Sequence, residues 1–131
     1  MPLVRVAVRQ GNTEAYRAAI EEGIHRAMVE TIDVPPDDRF QIWSQHSPTE
    51  LIFDGSYLGI ERGEGFLVIQ IFLNSGRSLE KKRALYRKIA DNLARDPGIR
   101  PQDVLVNLVE VTKENWSFGN GDVSYAKETP A

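Results

Sequence analysis

Phe66-Leu67-Val68-Ile69-Gln70-Ile71-Phe72-Leu73, followed at once by Asn74-Ser75-Gly76-Arg77-Ser78, is the stretch that decides the fold. Eight residues with one polar member, rich in β-branched and aromatic side chains, read as a strand apolar on both faces. Asn74-Ser75-Gly76 breaks it. Ser78 is then placed to cap a helix that puts Ala84, Leu85, Ile89 and Leu93 on one face. That helix stops at Asp96-Pro97-Gly98, and Pro101-Gln102-Asp103 leads into a second apolar run over 104–111. The segment is a β-α-β unit.

The same unit occurs earlier. Residues 3 to 9 alternate, with Val4, Val6 and Val8 on one face and Leu3, Arg5, Ala7 and Arg9 on the other. Gly11 and Asn12 break the strand. From the cap Thr13, apolar residues recur at Tyr16, Ala19, Ile20, Ile24, Ala27 and Met28, the spacing of an amphipathic helix. Asp33 to Asp38, with Pro35-Pro36, ends it, and Phe40-Gln41-Ile42-Trp43 reads as a strand. The two units superimpose without a gap at an offset of 65 residues: Gly11 on Gly76, Thr13 on Ser78, Ile20 on Leu85, Ile24 on Ile89, Met28 on Leu93, Pro36 on Pro101 and Asp38 on Asp103. A break, a cap and a Pro-x-Asp that keep register mark an internal repeat.

Two right-handed β-α-β crossovers join into one four-stranded mixed sheet about a pseudo-twofold axis, with both helices on one face. The expected class is α+β. A strand apolar on both faces needs cover on the second face as well. Residues 44–65, with Leu51-Ile52-Phe53 as a short strand, are expected to supply part of it, and another copy of the chain the rest. After Glu110 the chain turns polar. Trp116-Ser117-Phe118 followed by Gly119-Asn120-Gly121-Asp122 reads as a C-terminal hairpin. The whole is expected to be one domain, 1–131, with repeat 1 over about 2–44, repeat 2 over about 66–111, and the hairpin and tail over 112–131.

Composition narrows the class. With 131 residues, 41% hydrophobic and 27% charged, the chain has the make-up of a globular protein. No apolar run approaches the ~18 to 20 residues of a membrane span, and Arg5 and Arg9 interrupt anything like a secretory signal. A net charge of −3 gives no case for nucleic acid as the partner. No cysteine is present, which excludes thiolate chemistry and suits the cytoplasm. His25, on a helix among Glu21, Glu22 and Arg26, reads as a surface residue. His46 falls in a polar loop, and neither histidine suggests a metal.

A β-α-β unit repeated twice, with proline behind the initiator methionine, resembles the tautomerase superfamily and, within it, the malonate semialdehyde decarboxylase-like branch. The resemblance is carried by Pro2, by Val34-Pro35-Pro36-Asp37-Asp38-Arg39-Phe40-Gln41, by Asn74-Ser75-Gly76-Arg77-Ser78 and by Trp116-Ser117-Phe118-Gly119. It implies a homotrimer without cofactor, acting on a small 2-keto/enol, 3-oxo or unsaturated carboxylic acid, with an active site at each Pro2 near the subunit boundary. By that match Pro2, freed by removal of Met1, transfers the proton, and Asp38 is its carboxylate partner. Arg77 binds and polarises a carboxylate or carbonyl, with Asn74 as its polar companion, and Trp116 and Phe118 line the pocket. The branch's decarboxylases use two arginines near the second helix, where this chain offers Asn74 and Arg77. Arg39 and Arg5 are candidates for the second charge. Decarboxylation of malonate semialdehyde and hydration or dehalogenation of 3-haloacrylates are the alternatives to tautomerisation.

Chemistry leaves the direction of proton transfer open. An N-terminal amine ordinarily titrates at about 7.7 to 8.0, so its surroundings decide whether it is base or acid. Apolar burial and Arg77 favour the neutral base, whereas an ionised Asp38 favours the protonated acid. Asp38 also has a duller reading, as a turn cap like its repeat mate Asp103. A reading of another class is a non-catalytic ferredoxin-like binding module, favoured if Met1 is retained, because an acylated Pro2 nitrogen is not basic.

Overall fold

The structure is a computed structural model that describes residues 2–125. It contains strand β1 (Leu3–Arg9), helix α1 (Glu14–Ile32), β2 (Gln41–His46), β3 (Leu67–Asn74), α2 (Leu79–Arg95) and β4 (Val104–Val111). The sheet order is β2-β1-β3-β4. Strands are parallel within each unit and antiparallel where the units meet, with Leu3 opposite Phe72 and Val6 opposite Ile69. This is the mixed α+β sheet that the repeat requires, and its pseudo-twofold axis runs between β1 and β3.

Strand alternation settles which side chains enter the core. Val4, Val6 and Val8 of β1 and Leu67, Ile69, Ile71 and Leu73 of β3 are buried against Ile20, Ile24 and Met28 of α1 and Leu85, Ile89 and Leu93 of α2. Each such side chain taken wholly out of water contributes about 1.5 to 3 kcal/mol. Ala84, expected on that face, is exposed. Both helices start as the sequence dictates: the Thr13 hydroxyl accepts from the Tyr16 N–H and the Ser78 hydroxyl from the Lys81 N–H. The helices approach closely at Gly23, where an added Cβ would stand 2.9 Å from Leu93 Cδ2. Asn92 seals the crossing by donating to the Gly23 carbonyl at 2.9 Å.

The opposite face carries Val68, Gln70 and Phe72 of β3, only half-buried, with Leu105 of β4 exposed. Residues 47–66 cover one end of it, through Phe53 packed on Phe66 at 4.5 Å. Leu51–Phe53 is not a strand. Backbone groups near it are claimed locally: Asp54 accepts from the Ser56 N–H, and Arg62 donates to the carbonyls of Asp54, Tyr57 and Ile60. The C-terminal segment reverses at Gly119–Asp122, where Ser124 N–H donates to the Trp116 carbonyl and Phe118 N–H to the Ser124 hydroxyl. The reversal falls at Asn120-Gly121 as expected and is built from turns rather than paired strands through residue 125, while 126–131 lie outside the described residues. No helix among the described residues is long and apolar enough to cross a membrane.

Candidate active site

One end of the sheet gathers the start of β1, the end of β3 and the turn before β2. Antiparallel pairing of Leu3 with Phe72 sets Pro2 beside the end of β3, and Val4 N–H donates to the Phe40 carbonyl at 3.0 Å. Pro2 is buried. The turn after α1 begins at Asp33, in the left-handed region at φ +59°, and closes with Asp38 N–H on the Pro35 carbonyl at 2.9 Å. It carries Asp38 inward.

Asp38 is 4% exposed, and neither of its carboxylate oxygens has a hydrogen-bond partner among the described residues. Burial pushes its carboxyl above the ordinary value, against the opposing pull of the amino terminus and of His25, while Asp37 adds to the rise. His25 is 3% exposed, not the surface residue its acidic neighbours suggested. The turn 34–38 folds back on α1 and covers it, and the imidazole Nε2 lies 2.8 Å from the Pro36 carbonyl oxygen. His46 belongs to β2 rather than to a loop and bonds the Ser44 hydroxyl at 2.8 Å.

At the end of β3, Asn74 is nearly buried and accepts from the Trp116 indole N–H at 2.7 Å. Arg77 reaches back to donate to the Asn74 carbonyl at 2.9 Å and across to the Ile32 carbonyl at 3.4 Å. These oxygens anchor the guanidinium without neutralising it, and among the described residues no carboxylate forms an ion pair with it. Arg39 is different. It is held by Glu21 at 3.2 Å and Glu22 at 2.9 Å, so its charge is compensated. Arg5 is exposed and lies on the sheet face away from the helices, between Ile42 and Gln70. Arg39, paired with both glutamates, is not free to act as a second positive group.

The wall is aromatic. Trp116 stacks on Phe118 at 5.1 Å, and Phe118 meets Phe40 at 5.8 Å and the ring of Tyr125 edge-on at 5.9 Å. Phe40 and Tyr125 are additions to the residues expected from the sequence. The Tyr125 hydroxyl is buried without a well-formed hydrogen bond. Burial raises its pKa; the Asn74 side chain lowers it, the Asp38 charge raises it and the Arg77 charge lowers it. The hydroxyl therefore senses Asn74, Asp38 and Arg77 together. Its one sequence signal is the Asn-Gly reversal, which returns position 125 towards Trp116.

Pro2, Asp38, Asn74, Arg77, Trp116 and Phe118 thus converge at one end of the sheet. Buried polar groups without partners are rare in folded chains, and a cluster of them beside a guanidinium makes this end a candidate functional site. The family pattern described as tautomerase enzyme matches residues 38–119, and a second tautomerase pattern matches 2–60. The chain belongs to the tautomerase superfamily. A probable tautomerase of Bacillus subtilis strain 168, YusQ, is 39% identical to it over 121 residues, covering 92% of this chain and 95% of that protein. Among solved structures, a malonate semialdehyde decarboxylase superposes with a TM-score of 0.88 at 35% identity, over 93% of this chain and 94% of that one. A fused 4-OT wild-type symmetric trimer superposes with a TM-score of 0.76 at 26% identity, over 91% of this chain and 93% of that one. Tautomerase-superfamily membership makes the chain an enzyme by family.

Proposed function

We propose that this tautomerase-superfamily enzyme transfers a proton through Pro2, freed by removal of Met1, on a small carboxylate-bearing 2-keto/enol, 3-oxo or unsaturated acid, without a cofactor. The observation that carries this reading is Asp38: a buried carboxyl with both oxygens unpartnered among the described residues, at the end of the sheet where Pro2 precedes β1. A secondary ammonium is the natural partner for such a carboxylate. Arg77 binds the substrate carboxylate, and Asn74, Trp116 and Phe118 orient the carbon skeleton against the aromatic wall.

The same pairing bears on the direction of transfer. When Asp38 is ionised, its charge holds Pro2 protonated, which favours the acid role. As an acid, Pro2 gives its proton to the carbonyl oxygen of a 3-oxo acid while the bond to the carboxylate carbon breaks. That electron pair forms the enol, carbon dioxide leaves, and a proton returned to carbon gives the aldehyde. In enol–keto exchange, by contrast, the neutral amine takes the proton from the enol oxygen and delivers it to carbon. The malonate semialdehyde decarboxylase likeness supports keeping the lyase reading beside the isomerase one. A homotrimer, with another copy covering the open sheet face, completes the proposal.

Side-by-side assays with phenylenolpyruvate, malonate semialdehyde and a 3-haloacrylate, on protein whose intact mass shows Met1 removed, test it. Turnover of at least one acid is expected. It should fall by about 10²- to 10⁴-fold in Pro2→Ala, the usual worth of a positioned acid or base, with circular dichroism and sedimentation unchanged. Undiminished turnover in Pro2→Ala, or retention of Met1 in active protein, would overturn the proposal.

A further inference from the structure

We infer that His25 is a positioning residue, and that its Nε2–H, by taking the Pro36 carbonyl, holds open the turn that presents Asp38. The inference rests on the role proposed above for Asp38. A carbonyl oxygen can only accept, so the 2.8 Å contact fixes the proton on Nε2. The second ring nitrogen, Nδ1, is buried with no hydrogen-bond partner among the described residues. An apolar side chain would fill this space without that cost, so the imidazole is kept for what its other nitrogen does.

The second unit shows what the turn becomes without it. There the Asp103 N–H donates to the Arg100 carbonyl at 2.9 Å, the counterpart of Asp38 N–H on Pro35. A second bond follows, from Val104 N–H to the Pro101 carbonyl, and the turn tightens into a 3₁₀ segment over Pro101–Asp103. The residue equivalent to His25 is Ala90, which has no donor to offer. In the first unit His25 claims the equivalent carbonyl, that of Pro36, and residues 36 and 37 form a simple turn instead. One histidine thus replaces the closing bond of a duplicated turn in the unit whose aspartate is unpartnered. The titratable groups that act on that aspartate are the amino terminus, His25 and Asp37.

The test uses the full-length protein and the variants His25→Leu and His25→Gln, whose amide N–H keeps a donor at similar reach. Two quantities are read: kcat and KM for an acid turned over by the wild type, and the ¹³C titration midpoint of the Asp38 carboxyl, identified by its loss in Asp38→Asn. Leu is expected to lower kcat by about 10- to 100-fold, the cost of displacing a reacting group by about an ångström, with KM moved less than about threefold. The Asp38 midpoint should shift with it, and Gln should restore most of both. If the Leu variant does not fold, His25→Asn, too short to reach Pro36, takes its place. An unchanged Asp38 midpoint and kcat in Leu, or equal losses in Leu and Gln, would overturn the inference. A wild type that turns over none of the acids would count against the proposed function alone, since the carboxyl titration still decides the role of His25.

Discussion

Asp38 and Asp103 occupy the same position in the two β-α-β units, and both are buried, at 4% and 3% exposure. Their surroundings differ. Asp103 accepts from the Gly63 N–H at 2.7 Å and has the Arg100 guanidinium at 4.0 Å. The linker packs over it so tightly that a Cβ on Gly65 would stand 3.1 Å from its Oδ2. Asp38 accepts from nothing in the described chain. The linker that satisfies Asp103 leads into β3, and it cannot serve β1 as well. Duplication therefore made two equivalent buried carboxylates, of which one closes the structure and the other is available for chemistry. Buried groups with raised pKa in a cleft are what functional sites accumulate, at a cost in stability.

The largest effect expected from this contrast lies in exchanging the two carboxylates' fates. Asp38→Asn should lower turnover by about 10²-fold or more while leaving the fold at least as stable at pH 7. Asp103→Ala should leave the Gly63 N–H unpaired, with a loss of about 1 to 3 kcal/mol, while activity per folded molecule persists. The pH dependence has a definite sign. Because the Asp38 carboxyl titrates above its ordinary value of 3.8 in the folded protein, folding favours the protonated form. Its favourable contribution is complete below that value and is lost as pH rises through the folded pKa. Asp38→Asn should therefore gain melting temperature over wild type at neutral pH and lose that gain near pH 3. A variant less stable than wild type at pH 7 would make Asp38 a structural residue like Asp103.

The plan that sets up this contrast is legible in the sequence, since glycine, cap, apolar phase and Pro-x-Asp recur in register and each is a local signal. The divergence is not. Asp38 and Asp103 read alike because what separates them is a linker amide forty residues away in sequence from Asp103. His25 reads as exposed because helix periodicity counts only the arc facing sheet and helix, and here a turn supplies a third covering surface. Arg39 is a candidate for the substrate by sequence, yet Glu21 and Glu22, one helix earlier, hold it. Tyr125 lies beyond any periodic segment. Local pattern fixes elements, whereas the state of a polar group depends on which distant backbone reaches it.

A smaller effect separates the two loops that follow β1 and β3. Asn12 and Arg77 are equivalent, and each donates to the carbonyl three residues back, Asn12 to Arg9 at 2.6 Å and Arg77 to Asn74 at 2.9 Å. They share a structural bond and differ in charge. Arg77→Asn imports the other loop's solution, so stability should hold while KM for a carboxylate substrate rises about 10- to 100-fold, matching the loss of a charge-assisted hydrogen bond. Steady-state kinetics beside a melting curve checks both halves. An unchanged KM would remove Arg77 from substrate binding and leave it a loop anchor.

The smallest effect is where the two units should still agree. Gly11 and Gly76 hold φ of +96° and +119°, and an added Cβ at either meets nothing within 4 Å. The penalty for alanine is then wholly one of backbone conformation, about 1 to 3 kcal/mol at each site, and the two losses should match within about 0.5 kcal/mol. Chemical denaturation of Gly11→Ala and Gly76→Ala measures this directly. Only Gly76→Ala should also raise KM, because it shifts the guanidinium next to it. Equal stabilities with unequal kinetics would show the loops to be the same piece of backbone put to different use. Clearly unequal stabilities would mean that the second loop has been reshaped around Arg77, and that the asymmetry of the site reaches into the main chain.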